Sequence, residues 1–62
     1  MRFNIGDRVC LTIDKEFADG KKISAGTCGI VKDQYEIFGA YLVKFEGVGL
    51  PRMILDDDLT AG

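Results

Sequence analysis

Apolar and polar residues alternate along the segment that begins at Asp7. One side of this segment is apolar and carries Val9, Leu11 and Ile13. The other side is more polar and carries Arg8, Cys10 and Thr12. A period of two predicts a half-buried β-strand with Cys10 on its outer face. The preceding segment, Met1 to Gly6, has the same period and predicts a short edge strand or an extended lead-in, with Phe3 and Ile5 on one face.

Two apolar stretches in the middle of the chain predict a central hairpin. They run from Ala25 to Val31 and from Tyr41 to Phe45, and we expect the segment Asp33 to Ala40 to be the connecting loop. Gly26 and Gly29 both lie in the first stretch. Two glycines so close together predict a sharp bend, with either a bulge or a point where a neighbouring backbone leaves no room for a Cβ atom.

The segment from Asp14 to Ser24 loses the period of two and gains charge. It predicts a long, two-armed loop with a hairpin-type turn at Asp19-Gly20. At the end of the first central stretch, Ile30 and Val31 are adjacent and apolar. Two alternatives follow for this pair: one of the two side chains points outward, or a bulge resets the register.

After the central hairpin, the pattern predicts one more strand and a short turn. The strand runs from Arg52 to Leu55, with Pro51 at its start, where a missing N–H does least harm to the ladder. Asp56 to Asp58 predicts a tight helical turn capped by an aspartate, and Leu59 is expected to close the core. Because little chain remains for a fifth strand, we expect Met1 to Ile5 to help complete the sheet.

Together these elements predict an all-β protein formed by a single domain over residues 1–62. The predicted fold is a small, SH3-like, partly open antiparallel β-barrel of four to five strands with a short 3-10 turn near the C-terminus. A chain of 62 residues has a small core, so its stability margin is expected to be a few kcal/mol and to gain from docking on a partner.

Charge and composition narrow the function classes. Eight Lys and Arg stand against ten Asp and Glu, and only Lys21-Lys22 resembles a basic footprint, which argues against nucleic-acid binding. No apolar run has the roughly 18 residues that a membrane helix needs, and the N-terminus does not read as a signal peptide. We therefore expect a cytoplasmic protein without a membrane span.

Candidate catalytic and metal-binding residues are few. The chain has no histidine, the commonest general base, and with Cys10 and Cys28 alone it cannot assemble four zinc ligands. In a reducing cytosol the two cysteines are expected to be free thiols, although a disulfide is possible if their strands pair side by side. The reactivity of Cys10 on the outer face stays open. The carboxylates of Asp56 to Asp58 point in different directions and predict a solvated turn rather than a metal site.

The chain resembles the SH3-like barrel electron-transport accessory proteins. The likeness is carried by Phe3-x-x-Gly6-Asp7-x-Val9, Gly26-Thr27-x-Gly29-x-Val31, Tyr41-Leu42-Val43-Lys44-Phe45, and Arg52 followed by Asp57-Asp58-Leu59. This group includes the variable chain of ferredoxin-thioredoxin reductase, to which the likeness is closest, and small nitrogen-fixation accessory barrels are similar in the same places. The resemblance implies a non-catalytic subunit that sits against a redox enzyme or carrier. The glycine motifs also occur in KOW-type barrels that bind RNA.

Large apolar residues in the predicted loops point to a protein-binding surface. Tyr35, Ile37 and Phe38 lie within four residues, and Phe17 is the aromatic residue of the other long loop. These side chains either form an exposed apolar patch or, in the case of Ile37 and Phe38, fold back to plug an open barrel end. Tyr35 is the residue most expected to be exposed.

We therefore predict a small accessory or regulatory subunit that docks on a larger protein, with no catalytic residues, no metal and no cofactor. Apolar anchors would lose water at the centre of the interface, and charged residues would set orientation at its rim. The predicted partner-binding residues are Phe17, Lys21, Lys22, Tyr35, Ile37, Phe38 and Arg52. The alternative function is a nucleic-acid-binding barrel, in which lysines contact phosphates and Tyr35 stacks on bases.

Overall fold

The structure is a computed structural model that describes residues 2–62. Within this range the chain forms seven β-strands: β1 (Arg8–Leu11), β2 (Lys15–Glu16), β3 (Lys22–Ile23), β4 (Cys28–Tyr35), β5 (Ala40–Phe45), β6 (Arg52–Leu55) and β7 (Leu59–Ala61). Two 3-10 turns, Glu36–Phe38 and Asp56–Asp58, precede β5 and β7. The prediction of an all-β chain is confirmed, as are the strand over Arg52–Leu55 and the 3-10 turn that follows it.

Five strands form one antiparallel sheet in the order β6-β5-β4-β1-β7. β4 and β5 are the predicted central hairpin, and they pair along the sheet with Val31 opposite Val43. β6 and β7 are the two edges, and this sheet is not closed. β2 and β3 form a separate hairpin, which confirms the two-armed loop with its turn at Asp19-Gly20. Gly20 lies in this turn at a φ of 85°, a conformation that favours glycine.

The core lies on one face of the five-stranded sheet. It consists of Phe3, Val9, Leu11, Ile23, Val31, Tyr41, Val43, Phe45, Ile54 and Leu59. The prediction that Val9 and Leu11 face inward is confirmed, but Ile13 is 47% exposed. Its inward orientation was predicted from the alternation, and that prediction is wrong because β1 ends at Leu11. Beyond this residue the chain leaves β4, and the N–H of Thr12 donates to the carbonyl of Asp58 at 2.9 Å.

Gly29 lies where β4 and β5 approach closely. Of the two alternatives predicted for the glycine-rich stretch, a bulge or a point without room for a Cβ atom, Gly29 fits the second. A Cβ atom on Gly29 would collide with the Lys44 carbonyl of β5 and would lie 2.7 Å from the Cα of Phe45. The structure also shows how the adjacent apolar residues Ile30 and Val31 are placed: Val31 is buried and Ile30 is half-buried. A register shift follows them, between Val31 and Asp33.

The last strand was not predicted. We expected Met1 to Ile5 to complete the sheet, but β7 fills this position by pairing with β1, with Leu59 opposite Leu11. This is possible because the 3-10 turn is short and returns the chain directly to β1. Residues 2–7 form no strand, and Met1 lies outside the described residues. The predicted aspartate cap is also wrong, since no side chain caps the turn that begins at Asp56.

Cys10 and Cys28 are directly opposite each other on β1 and β4 and form a disulfide. This corrects the prediction of two free thiols, which followed from an assumed reducing compartment rather than from geometry. The N–H of Leu11 donates to the carbonyl of Thr27, and the N–H of Val31 donates to the carbonyl of Asp7. By alternation from these bonds, Cys10 and Cys28 form a non-hydrogen-bonded pair, where side chains come closest. Both half-cystines are partly exposed on the outer face of the sheet, as predicted for Cys10.

Candidate docking surface

The tip of the β4–β5 hairpin is a short turn held at both ends. The predicted loop from Asp33 to Ala40 is shorter in the structure, because β4 continues to Tyr35 and Tyr35 is paired with Ala40. The 3-10 turn Glu36–Phe38 spans the gap and ends at Gly39, which has a φ of 62° and donates its N–H to the carbonyl of Glu36 at 3.1 Å. Glycine suits this left-handed position because it has no Cβ atom.

This turn presents two large apolar side chains to solvent. Ile37 is 89% exposed and Phe38 is 64% exposed. Of the two alternatives left open by the sequence, the structure therefore has the exposed patch and not the plug. Tyr35 is half-buried, so the prediction that it would be the most exposed of the three is wrong. We call Ile37 and Phe38 the tip patch.

Phe17 and Arg52 form a second, separate feature. The guanidinium carbon of Arg52 lies 4.9 Å from the centre of the Phe17 ring, and its Nη2 donates to Asp19 Oδ2 at 2.8 Å. The hydrogen bond from Arg52 lowers the pKa of Asp19. Phe17 also packs against the core, so it links the β2–β3 hairpin to the main body of the fold. This arrangement fixes the arginine between an aromatic face and a carboxylate.

A groove lies between the β2–β3 hairpin and the turn that precedes β6. It is lined by Asp19, Lys21, Lys22, Ile23, Gly47, Val48, Gly49, Leu50 and Arg52. We call this the basic groove, because it gathers the three predicted rim cations. Lys22 also forms an ion pair with Glu16 at 3.4 Å, and Arg52 Nε is buried without a hydrogen-bond partner among residues 2–62.

The tip patch and the basic groove occupy different parts of the sheet. Arg52 pairs with Val43, whereas the tip lies between Tyr35 and Ala40, and Ala40 is three positions before Val43 in β5. At the rise of a β-strand this is about 10 Å of backbone. Phe17 forms no aromatic pair with Tyr35 among the described residues. The seven predicted partner-binding residues therefore form two surfaces, with Tyr35 supporting the first and Phe17 supporting the second.

The acidic turn before β7 has structural partners. Asp56 accepts hydrogen bonds from the Tyr41 hydroxyl at 2.7 Å and from Arg2 Nε at 2.8 Å. The bond from Tyr41 contributes most to a lowered pKa of Asp56, and Arg2 adds to it. Asp58 instead lies 3.1 Å from Lys15 Nζ. In residues 2–62 no cluster of three metal-ligating side chains is present.

Further exposed apolar residues were missed in the sequence. Met53 and Leu55 are each 52% exposed on the outer face of β6, and Leu50, just before this strand, is 67% exposed. The strand was predicted correctly, but the run Met53 to Leu55 is apolar throughout and gives no alternation to show which face is buried. The fold decides the matter, because Ile54 faces the core and Met53 and Leu55 lie on the opposite face of the sheet.

The chain matches no protein-family model, no curated protein and no solved structure. No helix within residues 2–62 is long and apolar enough to cross a membrane.

Proposed function

We propose that this chain is a small non-catalytic docking subunit, and that the tip patch is its main contact with a larger protein. The observation that carries the proposal is the exposure of Ile37 and Phe38, at 89% and 64%, on a turn fixed at both ends. Large apolar side chains are the usual anchors of protein interfaces because their burial removes apolar surface from water.

The construction of the tip favours binding. Paired strands continue up to Tyr35 and Ala40, and the Gly39 N–H closes the turn onto Glu36. The two anchor side chains are therefore presented on an ordered backbone, so little backbone entropy is lost when a partner covers them. The two anchor side chains contribute little to the stability of the fold, since neither belongs to the buried core.

The basic groove is proposed as a secondary contact that sets orientation. Lys21 and Lys22 are exposed on the β2–β3 hairpin, and Arg52 is held beside them by Asp19. Charges at the rim of an interface mainly steer association and contribute modest affinity, so a partner with an acidic surface suits this side of the molecule. We expect loss of Lys21 and Lys22 to slow association more than it speeds dissociation.

We further propose that the all-β fold is an SH3-like, partly open barrel. The strand order β6-β5-β4-β1-β7, the hairpin excursion between β1 and β4, and the 3-10 turn before β7 support it. With the sequence resemblance, this fold favours a redox enzyme or electron carrier as the partner, in electron transport or nitrogen fixation. A cytoplasmic location is part of the same proposal. A non-catalytic role is part of the proposal, and it is supported by the bonds that engage Asp19 and Asp56: Arg52 donates to Asp19, and Tyr41 donates to Asp56.

The test is quantitative capture from a lysate of the source cells with three baits of equal stability. These are the wild type, the double variant Ile37→Ser with Phe38→Ser, and the control Ile5→Ser, which removes an apolar side chain outside the sheet that is 62% exposed, close to the 64% of Phe38. We expect one protein to bind the wild type and the control and to lose at least ~10-fold in recovery with the double variant. Equal recovery on all three baits would refute the tip patch as the contact.

The same experiment addresses the nucleic-acid alternative. If the captured material is RNA or DNA and its retention falls steeply with salt, the alternative function replaces the docking proposal. In that case loss of Lys21 and Lys22 should reduce retention, and loss of Ile37 should have little effect.

A further inference from the structure

β6 is an edge strand with unpaired backbone groups. The N–H of Asp56 donates to the carbonyl of Gly39 at 2.8 Å, which fixes the hydrogen-bonding phase of the β5–β6 ladder. By alternation, the N–H and C=O groups of Arg52 and Ile54 face β5, whereas those of Met53 and Leu55 face away from the sheet. Among the described residues no strand pairs with this outer edge.

The edge lacks the features that normally prevent strand pairing. Edge strands in soluble proteins are usually protected by charged side chains, bulges or proline. From Met53 to Leu55 the strand has no proline, because Pro51 lies before β6, and no charged side chain. The side chains of Met53 and Leu55, on the outer face of the sheet, are apolar and half exposed. The other edge, β7, has three residues, and its large apolar residue Leu59 is buried. β6 is therefore the edge suited to accept another strand.

We propose that β6 pairs with β6 of a second copy of this chain, antiparallel and about a two-fold axis at Ile54. In this register Met53 of one copy lies opposite Leu55 of the other. Both residues direct their N–H and C=O groups outward, so each pair can exchange two hydrogen bonds. A shift by one residue would instead set Met53 opposite Ile54 of the other copy, whose backbone groups face inward.

Side-chain chemistry supports the same register. Met53 and Leu55 of both copies become cross-strand neighbours on the outer face, where Leu42 is half-buried beside Met53. About an axis at Ile54 the strand therefore matches itself in both its outward backbone groups and its exposed apolar side chains, which favours a second copy over an unrelated strand.

The predicted dimer is weak. β6 has four residues, and a pairing of this length buries less surface than a stable interface of about 1,200–2,000 Å². We expect a dissociation constant on the order of 0.1 mM. The inference does not depend on the tip patch, because it rests on the backbone of β6 and the side chains of Met53 and Leu55.

The test is sedimentation equilibrium of the full chain between about 10 µM and about 1 mM, around the expected dissociation constant. The average mass should rise from 6.8 kDa toward twice this value. Met53→Pro removes an N–H that points away from the sheet and leaves every hydrogen bond to β5 in place. This variant should stay monomeric over the whole concentration range. Ile5→Lys, the control at an exposed apolar residue outside the sheet, should dimerise as the wild type does.

Two further measurements keep the result decisive. If Met53→Pro does not fold, Met53→Lys places a charge on the same edge and should also abolish the dimer. In the wild type, amide exchange of Met53 and Leu55 should slow several-fold as concentration rises, whereas that of Ile54 should not change. A constant mass of 6.8 kDa, a dimer that persists in both Met53 variants, or unchanged exchange of these two amides would overturn the proposal.

Discussion

The Tyr41 hydroxyl donates a hydrogen bond to Asp56 Oδ2 at 2.7 Å and accepts one from the N–H of Phe3 at 3.1 Å. Tyr41 is fully buried in β5, and the Phe3 ring packs edge-on against it with a centroid separation of 5.5 Å. Arg2 binds Asp56 from the other side. One buried tyrosine therefore connects the N-terminal segment, the core and the turn that leads into β7.

Replacing Tyr41 with Phe should destabilise the fold by about 1–3 kcal/mol. The variant keeps the ring but leaves the Phe3 N–H without its acceptor and removes a donor from Asp56. Urea unfolding measures the change. Tyr35→Phe is the matched control, since the Tyr35 hydroxyl makes no hydrogen bond within residues 2–62 and its loss should change stability by less than about 0.5 kcal/mol. Equal losses in the two variants would contradict the role given to Tyr41.

Stability should fall on the acid side as Asp56 is protonated. Its pKa is lowered in the folded state by the Tyr41 and Arg2 contacts, so its carboxylate stabilises the fold above the unfolded pKa of about 3.9. This contribution is lost as the pH falls through the lower folded pKa. Melting temperatures measured between pH 7 and pH 2 should show a shallower acid decline in Asp56→Asn. Some decline should remain, because Arg52 lowers the pKa of Asp19 as well.

Alanine at Gly29 should be strongly destabilising. Its Cβ atom would lie 2.7 Å from the Cα of Phe45 and would push β5 away from β4. Overpacking of this kind costs about 1–3 kcal/mol or more. Gly49→Ala is the control, since its Cβ meets nothing within 4 Å, and it should be close to neutral. Chemical denaturation of both variants gives the comparison, and a neutral Gly29→Ala would contradict the close approach of β4 and β5 at this position.

Reduction of the Cys10–Cys28 disulfide should lower the stability of the chain. The half-cystines are separated by 18 positions, and closing a loop of that length stabilises a protein by about 3 kcal/mol. A dithiol reductant should reduce the unfolding free energy of the wild type by this order and should not affect a variant with both cysteines replaced by Ala. Alkylation and mass spectrometry of protein from quenched cells would show which state is present. Two alkylated cysteines in air-oxidised protein would contradict the disulfide.

Most of the sheet could be predicted from residue periodicity. Val9 and Leu11 showed the inward face of β1, and the apolar stretch ending at Phe45 showed half of the central hairpin. The period did not show where β1 ends, because Ile13 continues the alternation after the chain has left β4. A pattern of side chains says which face is apolar, and it does not say how far backbone pairing extends.

The candidate site was predicted less completely. Ile37 and Phe38 were found because large apolar residues in a loop are unusual, but their exposure depends on a turn set by Gly39. The grouping of Phe17 with the tip could not be tested from sequence, since it depends on where the β2–β3 hairpin folds. Met53 and Leu55 were missed for a similar reason: which face of β6 the core covers depends on how the sheet packs, and the apolar run gives no alternation to show it.

The most direct test of the central claim is photo-crosslinking from the tip patch. A photoreactive phenylalanine derivative replaces Phe38 in one protein and Ile5 in a matched control, and both proteins are irradiated in a lysate of the source cells. We predict a protein adduct from position 38 that disappears when Ile37→Ser is added, and no such adduct from position 5. Adducts of equal yield from both positions, or an adduct with nucleic acid, would contradict the proposal that this protein docks on another protein through the tip of the β4–β5 hairpin.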